Sequence, residues 1–287
     1  MPILTLLTDF GTQDEYVGVM KGVILSIAPD VRLVDLSHQI PPQDVRRAAF
    51  LLTSAVPYFP PDTVHLAVVD PGVGTERRPL AVRTPAGTFV GPDNGLFSWV
   101  LAGVPEWVAV EIREPAYRLP HVSFTFHGRD IFAPAAAYLA AGVPLERLGP
   151  RLTDPVRLPS PRLEVRDDAI EGEVLYADRF GNLVTSVGRF SWDGDRLQLA
   201  PAFRPMSGEV TIGATAARVA LAGAELRGIR RTYGEVAVGE PLALVGSSGF
   251  LEIAVRQGNA AATLDAVPGT PVTLWVCTAE TQGAQGR

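Results

Sequence analysis

A chain of 287 residues with 47% hydrophobic content and a mean hydropathy of +0.17 is long enough to bury a sizeable core, as one large domain or two modest ones. Its formal net charge of −6 gives no basic footprint for nucleic acid, and its longest apolar runs, such as residues 17–27, are broken by Gly or Lys well short of the ~20 residues that span a bilayer. Neither a nucleic-acid partner nor a membrane is therefore expected. The N-terminus has no basic region or small-residue cleavage site, and the single cysteine, Cys277, reads as a small strand hydrophobe that cannot form an intramolecular disulfide; both features place the chain in the cytoplasm.

Residues 3–8 form a continuous apolar run that predicts a strand. Val17, Met20, Ile24 and Ile27 then recur at helical spacing until Pro29 stops the pattern. Residues 32–36 repeat the strand signal, residues 44–55 the helix signal as far as Pro57, and residues 64–69 make a third strand of the buried type. Residues 132–139 offer another helix, which tolerates Pro134 only in its first turn. This alternation predicts an N-terminal α/β domain over 1–150 with a substantially parallel sheet. The run GPRLTDPVRLPSPRL, with its four prolines, reads as a stiff linker over 151–163. Short stretches at 172–176, 209–212, 242–245 and 271–276, set between Gly-rich turns, predict a smaller all-β, barrel-like domain over 164–278. The polar segment 279–287 reads as disordered.

Three apolar strands end in an acid, at Asp9, Asp35 and Asp70. In open α/β sheets ligands bind outside the carboxyl ends of the strands, although helix caps and turns use the same residue type. Asp70 stands out, because Pro71, Gly72 and Gly74 turn the chain sharply and Arg77 follows, a spacing that can bring a carboxylate and a guanidinium to one site. Of the four histidines, His65 lies in a strand and His121 in a loop, both structural positions. His127, directly before Gly128 and ahead of a helix, is suited to presenting an imidazole to a ligand.

Other patterns fail on inspection. The DFG of residues 9–11 has no glycine-rich loop or HRD segment beside it, which excludes a kinase. No phosphate-cradling G-x-x-x-x-G-K-[ST] or G-x-G-x-x-G follows the first strand. Four scattered histidines and one cysteine have no metal-ligand spacing, so no metal is expected.

The segments TDFG, VVDPGVGTERRPL, VGPDNGLF, TFHGRDIFAPAAA, DRFGNLVTS and GSSGFLEIAV occur in one order between residues 3 and 278. In this the chain resembles the S-adenosylmethionine hydroxide adenosyltransferase family, relatives of the fluorinase and chlorinase enzymes. The resemblance implies an α/β domain and a β-barrel-like domain, a homotrimer with active sites between subunits, and hydrolysis of S-adenosyl-L-methionine to adenosine and L-methionine by attack of water or hydroxide on the ribose 5′ carbon. It implies no cofactor besides that substrate. The family's water-handling set falls on Asp70, Arg77 and His127. A carboxylate beside a guanidinium is a poor proton acceptor, so Asp70 is expected to orient and His127 to relay the proton.

By the same resemblance Asp9 receives the ribose hydroxyls, Asp178 the methionine ammonium, Asn182 the adenine edge, and Ser247 or Ser248 the amino-acid end, while Phe180 and Tyr233 stack on adenine. Gly128 stands where the fluorinases have Ser, and Gln43 where they have tryptophan, which favours hydrolysis. The alternatives are an S-adenosylmethionine-dependent halogenase and a non-catalytic module that binds S-adenosylmethionine or adenosine. An intact Asp70, Arg77 and His127 set argues against the second.

Overall fold

The computed structural model describes residues 1–166, 168–200, 202–203 and 210–276, so Cys277 and the 279–287 tail lie outside the described residues. The chain divides into two compact units, Met1–Pro159 and Ser160–Arg287.

In the first unit the elements run β1 (Ile3–Thr8), α1 (Tyr16–Ile27), β2 (Arg32–Ser37), α2 (Val45–Ala55), β3 (Val64–Val68), β4 (Pro79–Thr84), β5 (Gly87–Pro92), α3 (Ser98–Ala102), β6 (Val108–Glu111), α4 (Ala133–Ala140) and β7 (Arg151–Leu152). They build one seven-stranded sheet in the order β2-β1-β3-β5-β4-β6-β7. The central strands β1 and β3 are buried along almost their whole length because both faces are covered. Leu4 and Leu6 of β1 join Met20 and Ile24 of α1 and the alanines of α4 in one core. Leu7 joins Ala48 and Leu52 of α2 and Val100 of α3 in the other. Asp44 caps α2 by accepting from the Arg47 amide at 2.9 Å, and Pro134 sits in the first turn of α4, where its missing N–H is harmless.

The sheet is mixed rather than substantially parallel. β2, β1, β3 and β5 pair in parallel, but β5/β4, β4/β6 and β6/β7 are antiparallel. The reason is local: only Pro85 and Ala86 separate β4 from β5, too few residues for a crossover, so the chain must return as a hairpin. Residues 151–158 also belong to this unit. Arg151 and Leu152 pair with Val110 and Ala109, and the amides of Val156 and Leu158 bond to Asp93 Oδ1 at 2.8 Å and Ser98 Oγ at 2.7 Å.

The second unit holds β8 (Leu163–Val165), β9 (Ala169–Ala177), β10 (Leu183–Thr185), β11 (Phe190–Asp193), β12 (Arg196–Leu199), β13 (Val210–Gly213), β14 (Arg218–Leu221), β15 (Ala224–Arg227), β16 (Ile229–Arg230), β17 (Pro241–Val245), β18 (Leu251–Val255), α5 (Ala260–Thr263) and β19 (Pro271–Trp275). A sheet in the order β15-β14-β19-β9-β10-β18-β17-β16, with β8 on β9, brings β15 back alongside β17 and nearly closes on itself. A separate three-stranded sheet, β11-β12-β13, completes the unit. Its core gathers Ile170, Val174, Leu183, Leu251, Ile253 and Leu274. The unit is β-rich but not all-β, since Asn259 caps the short helix α5 through the Ala262 amide.

Candidate active site

Thr8 and Val68 are paired neighbours at the carboxyl ends of β1 and β3, so Asp9 and Asp70 leave the sheet on the same edge. After Val69 the chain turns through residues 70–75, closed by the Val73 amide on Asp70 O at 3.2 Å and by Thr75 on Gly72 O. Gly74 lies at φ +76°, and a Cβ there would stand 2.3 Å from the Phe124 carbonyl oxygen, so only glycine lets these two loops approach so closely.

This turn delivers Arg77 back onto Asp70. Arg77 Nε lies 2.9 and 3.0 Å from the two Asp70 oxygens, and its Nη2 pairs with Oδ2 as well. The side chains keep only 9% and 5% of their accessible surface, and the guanidinium carbon stands 4.9 Å above the Phe132 ring. The same Nη2 is 2.8 Å from His127 Nδ1. A guanidinium carries donors only, so Nδ1 must be the acceptor, and the neutral imidazole bears its proton on Nε2. Burial and then the Arg77 charge hold the half-buried His127 below its ordinary pKa.

His127 is the residue before a single π-helical turn, Gly128–Phe132, that runs directly into α4. The turn is fixed by Asp130, which is fully buried and accepts from the Ser123 amide at 2.8 Å, Ser123 Oγ at 2.7 Å and Arg129 Nε at 2.6 Å. Burial pushes the Asp130 carboxyl up, but the Arg129 and Ser123 bonds outweigh it and leave it below the usual range. A Cβ on Gly128 would meet Met20 Sδ at 3.2 Å and the Phe126 and Phe10 rings at 3.2 and 3.3 Å.

Asp9 is half-buried and accepts the Gln43 amide at 2.8 Å; Gln43 itself adopts φ +68°. Asp35 takes the plainer role of pairing with Lys21 at 2.6 Å. His65 is fully buried, with Nδ1 2.8 Å from Thr5 Oγ1 and its ring stacked on Phe89, a structural placement. A cavity of about 390 Å³ opens beside Phe10, Tyr16, Phe126 and Arg129, but none of Asp70, Arg77 and His127 lines it.

In the second unit, Asp178 closes the turn after β9. Its Oδ1 accepts the Phe180 and Asn182 amides at 2.8 and 2.9 Å, and its Oδ2 accepts Asn182 Nδ2 at 3.0 Å. Phe180, Asn182 and Tyr233 line one cavity of about 410 Å³ with Val255, Gln257 and Gly258. Phe180 is 74% exposed, an unusual state for a phenyl ring. Tyr233 donates its hydroxyl to Glu252 at 2.7 Å, and burial with that bond raises the phenol pKa. Ser247 and Ser248 sit on the turn after β17, and among the described residues neither their hydroxyls nor their amides make a hydrogen bond.

The residues predicted from sequence thus fall into two groups. Asp70, Arg77 and His127 touch one another, with Asp9 on the same sheet edge. Phe180, Asn182 and Tyr233 line one cavity, Asp178 is bonded to Asn182, and Ser247 and Ser248 lie on the turn after β17. Sequence reasoning missed Asp130, Ser123 and Glu252; the only signal was an acid set against apolar residues, after Arg129 in RDIF and between Leu251 and Ile253 in LEIA. Among the described residues no group of three or more His, Cys, Asp or Glu side chains is placed to hold a metal ion, and no helix is long and apolar enough to cross a membrane.

The fold defines a two-unit protein, with strand-end acids in the first unit and, separately, an aromatic-walled cavity in the second. The chain belongs to the SAM hydroxide adenosyltransferase family, whose N-terminal domain matches residues 4–149 and whose C-terminal domain matches residues 172–273. It is 43% identical over 275 residues to a protein of Thermus thermophilus named (R)-S-adenosyl-L-methionine hydrolase, covering 93% of this chain and 97% of that one. It is 31% identical over 215 residues to a fluorinase of Nocardia brasiliensis, covering 66% and 72%. Among solved structures, a conserved protein of Thermotoga maritima superposes with a TM-score of 0.83 at 36% identity, covering 94% of this chain and 99% of that one.

Proposed function

We propose that this protein hydrolyses S-adenosyl-L-methionine to adenosine and L-methionine, and that Asp70, Arg77 and His127 position the attacking water. The observation that carries this is the contact of all three side chains through one guanidinium. The relatives' name specifies the (R) form of the substrate, which makes that epimer the first to assay.

Water attacks the 5′ carbon in line as the bond to sulfur breaks, the electron pair leaving with the neutral thioether of methionine. The attacking oxygen becomes strongly acidic as its bond to carbon forms, so a weak base suffices to take the proton. Asp70 is therefore the acceptor, passing the proton on to solvent. His127, whose Nδ1 lone pair is held by Arg77, instead offers Nε2–H as a donor that fixes the water or the nascent hydroxyl. This reverses the roles that carboxylate basicity alone suggested for the two side chains. Most of the benefit comes from positioning in a site sheltered from solvent. Asp9 holds the ribose hydroxyls. Asp178, Asn182, Phe180, Tyr233, Ser247 and Ser248 serve the adenine and amino-acid ends in a barrel-type second domain. The working form is a homotrimer in the cytoplasm, and the reaction needs no metal or cofactor.

Halogenation is disfavoured by a specific observation. The side-chain position at residue 128, where the fluorinases carry Ser, is enclosed by Met20, Phe126 and Phe10.

Incubation with substrate in oxygen-18 water should give adenosine labelled at the 5′ oxygen, with turnover unaffected by EDTA. Unlabelled adenosine overturns the mechanism. Production of 5′-chloroadenosine in chloride would favour the halogenase instead. Light scattering that finds a fully active monomer removes the trimer.

A further inference from the structure

His38 is only 5% exposed and takes no part in the chemistry of Asp70, Arg77 and His127, yet side chains from two strands converge on it. β1 and β2 run side by side in parallel as far as the pair Leu7 and Ser37, where their ladder ends. His38 carries the connection onward. Its Nδ1 lies 2.8 Å from Thr8 Oγ1, its carbonyl oxygen accepts the Gly11 amide at 2.8 Å, and its Nε2 stands 3.0 Å from Asp35 Oδ1. The other Asp35 oxygen accepts Lys21 Nζ of α1 at 2.6 Å. Burial pushes the Asp35 carboxyl up, but the contacts with Lys21 and His38 outweigh it and leave it below its ordinary range, so it stands as an anion beside the ring.

The direction of this chain of contacts follows from its end point. An ionised carboxylate has no proton to give, so Asp35 keeps the imidazole proton on Nε2 and leaves Nδ1 to accept the Thr8 hydroxyl. Thr8 is fully buried, and with its proton given to His38 its oxygen accepts the Phe10 amide, 3.3 Å away. The two residues that follow Asp9 are therefore both tied to His38, Phe10 through the Thr8 hydroxyl and Gly11 through the His38 carbonyl. Asp9 itself gives Oδ2 to the Gln43 amide at 2.8 Å, and among the described residues its Oδ1 has no hydrogen-bond partner. A carboxylate whose backbone is pinned, with one oxygen occupied and the other open, is aimed at a donor on a ligand. Resting on the reading that Asp9 receives the ribose hydroxyls, we propose that His38 is a positioning residue: backed by Asp35, it locks residues 8–11 through Thr8 so that the open oxygen of Asp9 meets the ribose diol. Asp35 thereby gains a task beyond its pairing with Lys21.

Calorimetric titration with adenosine and with 2′,3′-dideoxyadenosine, which lacks the diol, tests this. Asp9→Ala should weaken adenosine roughly ten- to hundredfold and leave the dideoxy nucleoside within about twofold. His38→Leu should show the same selectivity at roughly five- to thirtyfold, and added to Asp9→Ala it should change adenosine binding by less than about twofold, because it acts through the same carboxylate. The double variant needs adenosine alone, so it decides the matter even where the dideoxy nucleoside binds too weakly to measure. His38→Asn, whose amide oxygen falls where Nδ1 stood, should recover most of the loss. Equal weakening of both nucleosides by His38→Leu, or of neither, overturns the proposal, as does full additivity with Asp9→Ala. Should His38→Leu fail to fold, Thr8→Val and Thr8→Ser carry the same test: a selective loss with valine and near wild-type binding with serine are expected, and like behaviour of the two overturns it. If Asp9→Ala shows the selective loss and the His38 and Thr8 variants do not, the ribose reading stands and the positioning role falls. Asp9→Ala that leaves adenosine binding unchanged overturns the ribose reading and this inference with it.

Discussion

Arg77 is the residue on which the first-unit site depends, because a single guanidinium neutralises Asp70 and fixes the tautomer of His127. Removing it leaves Asp70, with a 5% exposed side chain, as an uncompensated buried carboxylate. Arg77→Ala should therefore cost about 3 kcal/mol of stability in urea unfolding as well as turnover. Arg77→Lys keeps the charge but loses the fork that reaches both partners, so turnover should fall with far less change in stability. Equal stability losses for the two substitutions would contradict the ion-pair account. For His127 the sign follows from geometry. Protonation at Nδ1 would set an imidazolium against the guanidinium, so the ring stays neutral below its ordinary value of 6.5. The acid limb of turnover is accordingly expected below pH 6.5, and nitrogen-15 spectra at neutral pH should show the proton on Nε2. A proton on Nδ1 would sink the assignment. Loss of His127 or Asp70 to Ala should lower turnover about a hundred- to ten-thousandfold, with adenosine binding nearly preserved.

At the level of elements, the site is made by two loops in close approach rather than by a rigid strand. Gly74→Ala drives a Cβ into the Phe124 carbonyl from a left-handed backbone position, so one loop must move. Arg77 stands three residues on, and the expected result is a turnover loss of at least about tenfold, since misplacements of about an ångström cost that much or more. Unchanged kcat would show that the loop adjusts without disturbing Arg77. How much of this was legible in the sequence varies with burial. β1, β3, α1 and α2 could be read because two-sided burial writes continuous apolar strands and one-sided burial writes a 3.6-residue period. The antiparallel half was missed, because β4 returns into β5 through two residues and no periodicity encodes the direction of that return. Asp70 and Arg77 were visible through their glycine-rich turn. Their link to His127 across 50 residues came only from the family resemblance and became physical only in the fold. Glu252 was hidden because an acid in an alternating strand looks like a solvent-facing residue until Tyr233 is seen to cover it.

At the scale of the whole molecule, each unit carries its own hydrophobic core, and two consequences can be measured. His65 lies within the first unit with no exposed surface and an unpartnered Nε2, and burial pushes its pKa down to about 4. The unfolded chain binds a proton near pH 6.5 that the folded chain refuses until about 4, so this contribution to stability is complete above 6.5 and is lost as pH falls through that window. The slope from this one group approaches about 1.4 kcal/mol per pH unit, and His65→Leu should remove it. An unchanged slope in the variant would contradict this.

The second consequence concerns where the first unit ends. The proline-rich composition suggests a linker from residue 151, yet residues 151–158 are bound to the first sheet and to α3. Leu152 is buried in the core, Asp93 receives the Val156 amide, and Ser98 receives the Leu158 amide. Arg78 meanwhile spans Asp93 and Asp154. Proline supplies stiffness here without supplying independence, since every residue between the prolines keeps an amide free to bond. A fragment ending at Pro159 should unfold cooperatively, and one ending at Pro150 should be weaker by about 4 kcal/mol, from one buried leucine and two hydrogen bonds. For a domain of this size each kcal/mol moves the midpoint by about 2 to 4 °C, so the shorter fragment should melt roughly 10 °C lower or fail to fold. Differential scanning calorimetry of the two fragments decides it. Equal midpoints would mean that residues 151–158 rest on the first unit without stabilising it, and the segment would then be a linker after all.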